Sequence, residues 1–179
     1  MAKKQTKNDV RSDYVWGVLR ITLGLTFLWA FIDKLFGLGF STCRDEAGVV
    51  AVACSKAVVG GGSPTEGFLK FGTAGPLAYF FQSLAGNPFI DILFMAGLLG
   101  LGIALTFGIG MKIAAISGTA LLLMMWSAAL LPENNPIIDE HIIYTIAIIG
   151  LLTVNGRQKL GIGPWWANTA IVKKYSFLA

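Results

Sequence analysis

Residues 14–36, 89–107, 113–131 and, slightly shorter, 136–155 are apolar almost without interruption. A membrane-spanning helix needs about 20 such residues. Backbone in lipid has no water to bond, so it must be helical or closed into a barrel. None of the four runs shows the strict alternation of a barrel strand. The pattern predicts an all-α integral membrane protein, a four-helix transmembrane bundle of one domain. An N-terminal tail (1–13) precedes it, a long outer loop (37–88) separates the first two spans, and an interfacial C-terminal tail (156–179) follows. The basic flank of the first run resembles a signal peptide. With a long apolar stretch and no small-residue cleavage site, it reads as an uncleaved anchor.

Local signals refine the ends. Ser12 or Asp13 is placed to cap the first helix. Trp16, Trp29, Trp126, Trp165 and Trp166 fall where aromatic belts sit. The outer loop contains Ser63-Pro64-Thr65-Glu66, a capping-box pattern with Pro at the first helical position. Phe68, Leu69, Phe71, Leu77, Tyr79, Phe80 and Phe81 are too apolar for a free loop. They predict short helices lying in the outer interface or folded back over the bundle. Asn87-Pro88-Phe89-Ile90-Asp91 and Asn135-Pro136-Ile137-Ile138-Asp139 share an Asn cap, a Pro and an acid at the same membrane face, which hints at a duplicated helical hairpin. Ala96, Gly100, Ala104 and Gly108 form a small-residue stripe that lets a neighbour approach, with Ala114 and Gly118 as its matching surface.

Composition agrees with this layout. Hydrophobic residues make up 55% of the chain and charged residues 13%, about half the charge of a soluble domain; mean hydropathy is +0.68. Little chain remains for a separate soluble catalytic domain. The net charge of +4 is unevenly divided. The expected inner segments carry Lys3, Lys4, Lys7, Arg11, Lys112, Arg157, Lys159, Lys173 and Lys174 against Asp9 and Asp13. The outer side carries Lys34, Arg44, Lys56 and Lys70 against eight acids, Glu133 among them. The positive-inside rule places both termini in the cytoplasm of a plasma or inner membrane. Topology explains the basic pI, so it implies no nucleic-acid partner.

Polar groups inside spans are costly and need a reason. Arg20 either snorkels to the inner headgroups or turns inward to pair with an acid or hold a ligand. Asp33 and Lys34 are either solvated at the outer end of the first helix or face the bundle. The fourth run opens with the densest cluster: Asp139, Glu140, His141 and Tyr144. On a helix Asp139 and His141 cannot share a face, whereas Glu140 and His141 can each share one with Tyr144. Its depth makes His141, with Glu140 or Asp139, a candidate proton relay; the bland reading is an interfacial polar fringe. A single histidine excludes a bis-His haem within one chain, and a zinc site lacks ligands at usable spacing, so no metal is expected. Cys43 and Cys54 lie in the outer loop. A continuous helix would hold their Cα atoms about 16 Å apart, so a disulfide requires a break there. A structural staple, a redox pair and two free thiols stay open.

Several of these segments resemble the DoxX/DoxD family of membrane proteins: Arg20, Phe31-Ile32-Asp33-Lys34, Pro64-Thr65-Glu66-Gly67-Phe68-Leu69, Gly100-Leu101-Gly102 and 136–144. The ending Gly161-Ile162-Gly163-Pro164-Trp165-Trp166 with Val172-Lys173-Lys174-Tyr175 is similar to the DoxD branch, large subunits of thiosulfate:quinone oxidoreductases. The resemblance spans about residues 14–175. It implies a reaction in which two thiosulfates join as tetrathionate on the outer face while a quinone is reduced. It also implies a second small membrane-anchored subunit. On that reading His141, Glu140 and Asp139 relay protons, Tyr144 and Trp126 contact the quinone, and Arg20, Asp33, Lys34 and Arg44 serve substrate binding. Cys43 and Cys54 are candidates for redox exchange with thiosulfate. Quinone is then the electron acceptor and lipid the surrounding partner, and a homo-oligomer stays open. Competing readings are a non-enzymatic scaffold for redox partners and a quinone-linked disulfide-generating enzyme, which would want a CxxC that the chain lacks. A transporter would want a broken central helix and more intramembrane charge pairs.

Overall fold

The computed structural model describes residues 7–132, 135–154 and 159–178. The basic residues Lys3, Lys4 and Arg157, the acid Glu133 and the end of the fourth run at Asn155 lie outside the described residues. Within them the chain is helical and forms no strand, only two isolated bridges, Arg44 with Val50 and Ala74 with Ala129. The principal helices are α1 (Lys7–Phe36), α3 (Pro88–Phe107), α4 (Met111–Ala128) and α5 (Glu140–Thr153). Between α1 and α3 lie 3₁₀ turns at Val58–Gly60 and Gly75–Leu77, a π-turn at Phe68–Gly72 and the short α2 (Ala78–Gln82). After α5 come α6 (Gly163–Ala167), α7 (Ala170–Lys174) and a 3₁₀ turn at Ser176–Leu178.

Three helices are long and apolar enough to cross a membrane: Val10–Phe36 of α1, Pro88–Phe107 and Met111–Ala128. Only 28% of the most apolar stretch of α1 and of α3, and 33% of that of α4, is buried within the protein. Val15, Val18, Leu25, Ile92, Leu93 and Ile116 are exposed. Water would penalise such faces, whereas lipid matches them. α5 has 14 residues, about 21 Å of helix, short of a ~30 Å hydrocarbon core.

α1 packs along α3, α3 against α4, and α4 against α5. Leu23, Phe27, Leu98, Leu101, Leu105, Met111, Leu122, Ile148 and Leu151 fill the space between them. Glycines set the closest approach. A Cβ on Gly24 would sit 2.5 Å from Thr106 N, and one on Gly102 would sit 2.5 Å from Leu28 Cγ. The expected stripe on this helix is partly misplaced: Ala96 and Gly100 face outward and a Cβ on Gly100 would meet nothing within 4 Å. On α4 the expected small surface is used, with Ala114 buried and Gly118 beneath Leu101 and Ile148.

The helix ends also differ from expectation. α1 runs back to Lys7, so Ser12 and Asp13 lie inside the helix and not at its N-terminal cap. Asn87 caps α3 through a bond from Phe89 N, with Pro88 at the first position, as its sequence predicts. Asn135 does not cap α5. Its Oδ1 accepts from Ile137 N and Ile138 N in a preceding turn, and Asp139 is the cap. The shared Asn-Pro motif therefore does different work in the two places and supports no duplication.

Candidate functional site

Arg20 neither snorkels to the headgroups nor lines an open site. It is fully buried, and its guanidinium donates to the carbonyls of Leu105, Thr106 (2.8 Å) and Lys159 (3.1 Å). A helix leaves its last four carbonyls without partners. In α3 all four are answered: Ala104 O by Gly108 N and Ile109 N, Leu105 O and Thr106 O by Arg20, and Phe107 O by Ile162 N at 2.9 Å. A cation at this terminus also opposes the negative end of the helix dipole. Arg20 is a plug that ties three parts of the chain together.

At the other end of α1, Asp33 is buried and its carboxylate organises the following turn. Leu38 N and Phe40 N donate to Oδ1 at 3.1 Å each; Ser41 N and Ser41 Oγ donate to Oδ2 at 3.0 and 2.9 Å. Lys34 Nζ donates a long bond, 3.3 Å, to that same Ser41 Oγ. Lys34 lies on the wall of a cleft of about 210 Å³. Phe94 and Leu93 of α3, Leu121 and Met125 of α4, and Phe68, Leu69 and Phe81 of the outer cap are among the other residues that line it. Lys34 is the one charged residue of that lining, which apart from Thr65 is otherwise apolar.

The cap that roofs this cleft is latched at both ends. Asp91 Oδ1, in the first turn of α3, accepts from Ser63 Oγ (2.8 Å), Thr65 Oγ1 (2.6 Å) and Thr65 N (3.3 Å). Ala74 N donates to Ala128 O at the end of α4. Ser63 Oγ also accepts from Glu66 N, half of the expected capping box. The Glu66 side chain pairs with Lys70 at 2.5 Å instead of reaching back. Leu69 and Phe81 pack on Ala128 to form a second small core.

The head of α5 holds a second polar locus. Asp139 has extended backbone geometry as the cap, so the helical spacing rule does not apply to it. It accepts from His141 N (3.0 Å) and Ile142 N (3.3 Å), and its Oδ2 lies 2.7 Å from His141 Nδ1. The expectation that Asp139 and His141 cannot meet is corrected by that one residue of non-helical backbone. The His141 side chain is 14% exposed and that of Asp139 9%, so the pair turns into the protein, whereas Glu140 is exposed. Ligand atoms of Asp139, Glu140 and His141 fall within 4.8 Å of one another, but both Asp139 oxygens already serve as acceptors. Tyr144 packs edge-on against Phe27 with ring centroids 6.4 Å apart. The Trp126 indole donates to Ile137 O at 2.7 Å, stapling the linker before α5 to α4. None of Asp139, Glu140, His141, Tyr144 or Trp126 lines the cleft.

Cys43 and Cys54 are joined in a disulfide, Cα atoms 5.8 Å apart. The segment between them turns back through Asp45, Gly48 and Val49, with Ala51 N bonded to Cys43 O and Ala53 N to Phe36 O. Cys43 is buried and Cys54 half-buried, the setting of a staple that closes this loop, while the Ala53–Phe36 bond ties it to the end of α1. Arg44 is exposed, its guanidinium 5.9 Å from the Phe40 ring.

The structure thus brings Asp33, Lys34 and Ser41 to one place and Asp139 with His141 to another, and leaves Arg20 at the opposite end of α1. Of the cleft residues, sequence reasoning singled out Lys34 alone as a site residue; the available signal for the rest was the apolarity of 68–81. No protein-family model matches the chain, and neither does any curated protein or solved structure.

Proposed function

We propose that this chain is the membrane subunit of an oxidoreductase that passes electrons from thiosulfate to a quinone held in the cleft under the outer cap, as its resemblance to the DoxX/DoxD family implies. Two thiosulfates lose one electron each and join through a new S–S bond as tetrathionate; the quinone takes both electrons and two protons. α5 serves as a short fourth span, since Ile143, Ile146 and Ile149 face outward beside α4. Both termini are cytoplasmic by the distribution of charge.

The observation that carries this reading is the cleft itself. Its volume is below the ~300–1,000 Å³ of pockets that enclose drug-sized ligands. It suits one ring, with a hydrocarbon tail left in the bilayer past the exposed Leu93 and Met124. Lys34 offers N–H donors to a ring carbonyl, and Ser41 and Asp33 continue the hydrogen-bonded chain to the outer loop. This moves the proton path from the expected His141 to Lys34.

The test is thiosulfate-dependent reduction of a short-tailed quinone by the chain purified with its small partner subunit. A hydrogen bond from a charged donor is worth about 1.5–3 kcal/mol. Lys34→Met should therefore raise KM for the quinone about tenfold or more, and Leu121→Trp should block it by filling the cleft. No quinone reduction with every subunit present would leave the scaffold reading, which gains weight from Arg20, Asp33 and Trp126 all being engaged in structural ties.

A further inference from the structure

The C-terminal residues 159–178 do not trail from the bundle. Arg20 holds Lys159 O, Ile162 N bonds to Phe107 O, and Lys112 Nζ donates to Ser176 O at 2.9 Å. Gly17 of α1 makes room for this path, because a Cβ there would lie 2.7 Å from Lys159 O. Within the segment the Trp166 indole donates to Leu178 O, and Val172 is buried. The result is a folded foot across the end of the bundle formed by the start of α1, the end of α3 and the start of α4.

Its outer surface combines two features that water alone does not explain. Trp165, Ile171, Tyr175 and Phe177 are exposed, by 65%, 51%, 45% and 57%. Among them stand exposed Lys173 and Lys174, with Lys174 Nζ 5.3 Å from the centre of the Tyr175 ring and Lys159 Nζ 5.7 Å from that of Tyr14. Residues 159–178 contain no Asp or Glu. Amphipathic aromatic rings settle at headgroup level, and cations fixed at that level meet lipid phosphates.

We infer that this foot is a binding surface for anionic phospholipid headgroups, with Lys173 and Lys174 facing the phosphates and the aromatic side chains seated in the interface. It is independent of the electron-transfer reading. The folded foot turns a generic basic flank into a surface of fixed geometry, so it selects headgroup charge and does not merely orient the chain.

The experiment uses the full chain in nanodiscs of equal phosphatidylcholine and phosphatidylglycerol, extracted in mild detergent, with retained lipid counted by mass spectrometry. The native chain should retain phosphatidylglycerol in severalfold excess. Raising salt to 1 M shortens the screening length to about 3 Å and should remove the excess without any variant. Each lysine near the surface is worth up to about fivefold, so the pair Lys173→Gln and Lys174→Gln should bring the ratio close to one, and Lys173→Arg with Lys174→Arg should keep the excess. Equal retention of the two lipids by the native chain overturns the inference. So does an excess unchanged in the Gln pair, or one lost equally in the Arg pair. If phosphatidylglycerol shows no excess and the foot instead holds an acidic protein subunit, the surface belongs to that subunit and the inference fails.

Discussion

Arg20 gives the sharpest test of how this bundle is held. Arg20→Met keeps most of the side-chain volume and removes every donor. The Leu105, Thr106 and Lys159 carbonyls then lose the guanidinium that each accepts from. A buried acceptor left unsatisfied costs about 1–3 kcal/mol, so these three acceptors contribute roughly 3–9 kcal/mol to the loss. Relief from burying a guanidinium offsets part of this, and water entering beside Lys159, which is less buried, offsets more. A net loss of about 4 kcal/mol results. It should appear as a lower midpoint in detergent-denaturation curves and as loss of hydrogen-exchange protection at Ile162, whose N–H depends on the same corner. Arg20→Lys should recover part of the loss, since an ammonium reaches fewer carbonyls than a planar fork. If Arg20→Met abolished quinone reduction while the midpoint and the Ile162 protection stayed at native values, Arg20 would be a ligand-binding residue and the plug would be refuted.

Other substitutions separate packing from chemistry. Gly102→Ala drives a methyl into Leu28 and should cost about 1–3 kcal/mol, whereas Gly100→Ala, on an open face, should stay within about 0.5 kcal/mol; parallel denaturation curves decide. Cys43→Ser with Cys54→Ser opens a short loop and should cost about 3 kcal/mol by chain entropy, while the proposed quinone reduction by the folded fraction persists; loss of turnover in well-folded protein would reinstate the disulfide as an electron carrier. Trp126→Phe removes one hydrogen bond and should cost about 1 kcal/mol, with KM for the quinone unchanged, because Trp126 lies outside the cleft; a tenfold rise in KM would return it to the binding site.

The existence of the helices was legible in the chain because lipid imposes one rule on every residue of a span. A long apolar run must be helical whatever its neighbours do, so α1, α3 and α4 follow from composition and length. Asn87-Pro88 announced the start of α3 because a cap and its target are two residues apart. Asp139 shows where local reading stopped. Treating it as helical separated it from His141, and one residue of extended backbone joined them. Arg20 shows the larger limit, since its acceptors lie 85 to 139 residues away. Sequence could say that a buried cation must find oxygen, but not which oxygen. The cleft had no local signature either: its wall is built mostly from ordinary apolar residues of three separate segments, and only their packing leaves a gap beside Lys34. Short-range hydrogen bonding and the solvent chose the elements. The pairing of distant groups was chosen by close packing, where a missing methyl on Gly24 or Gly102 decides which surfaces meet.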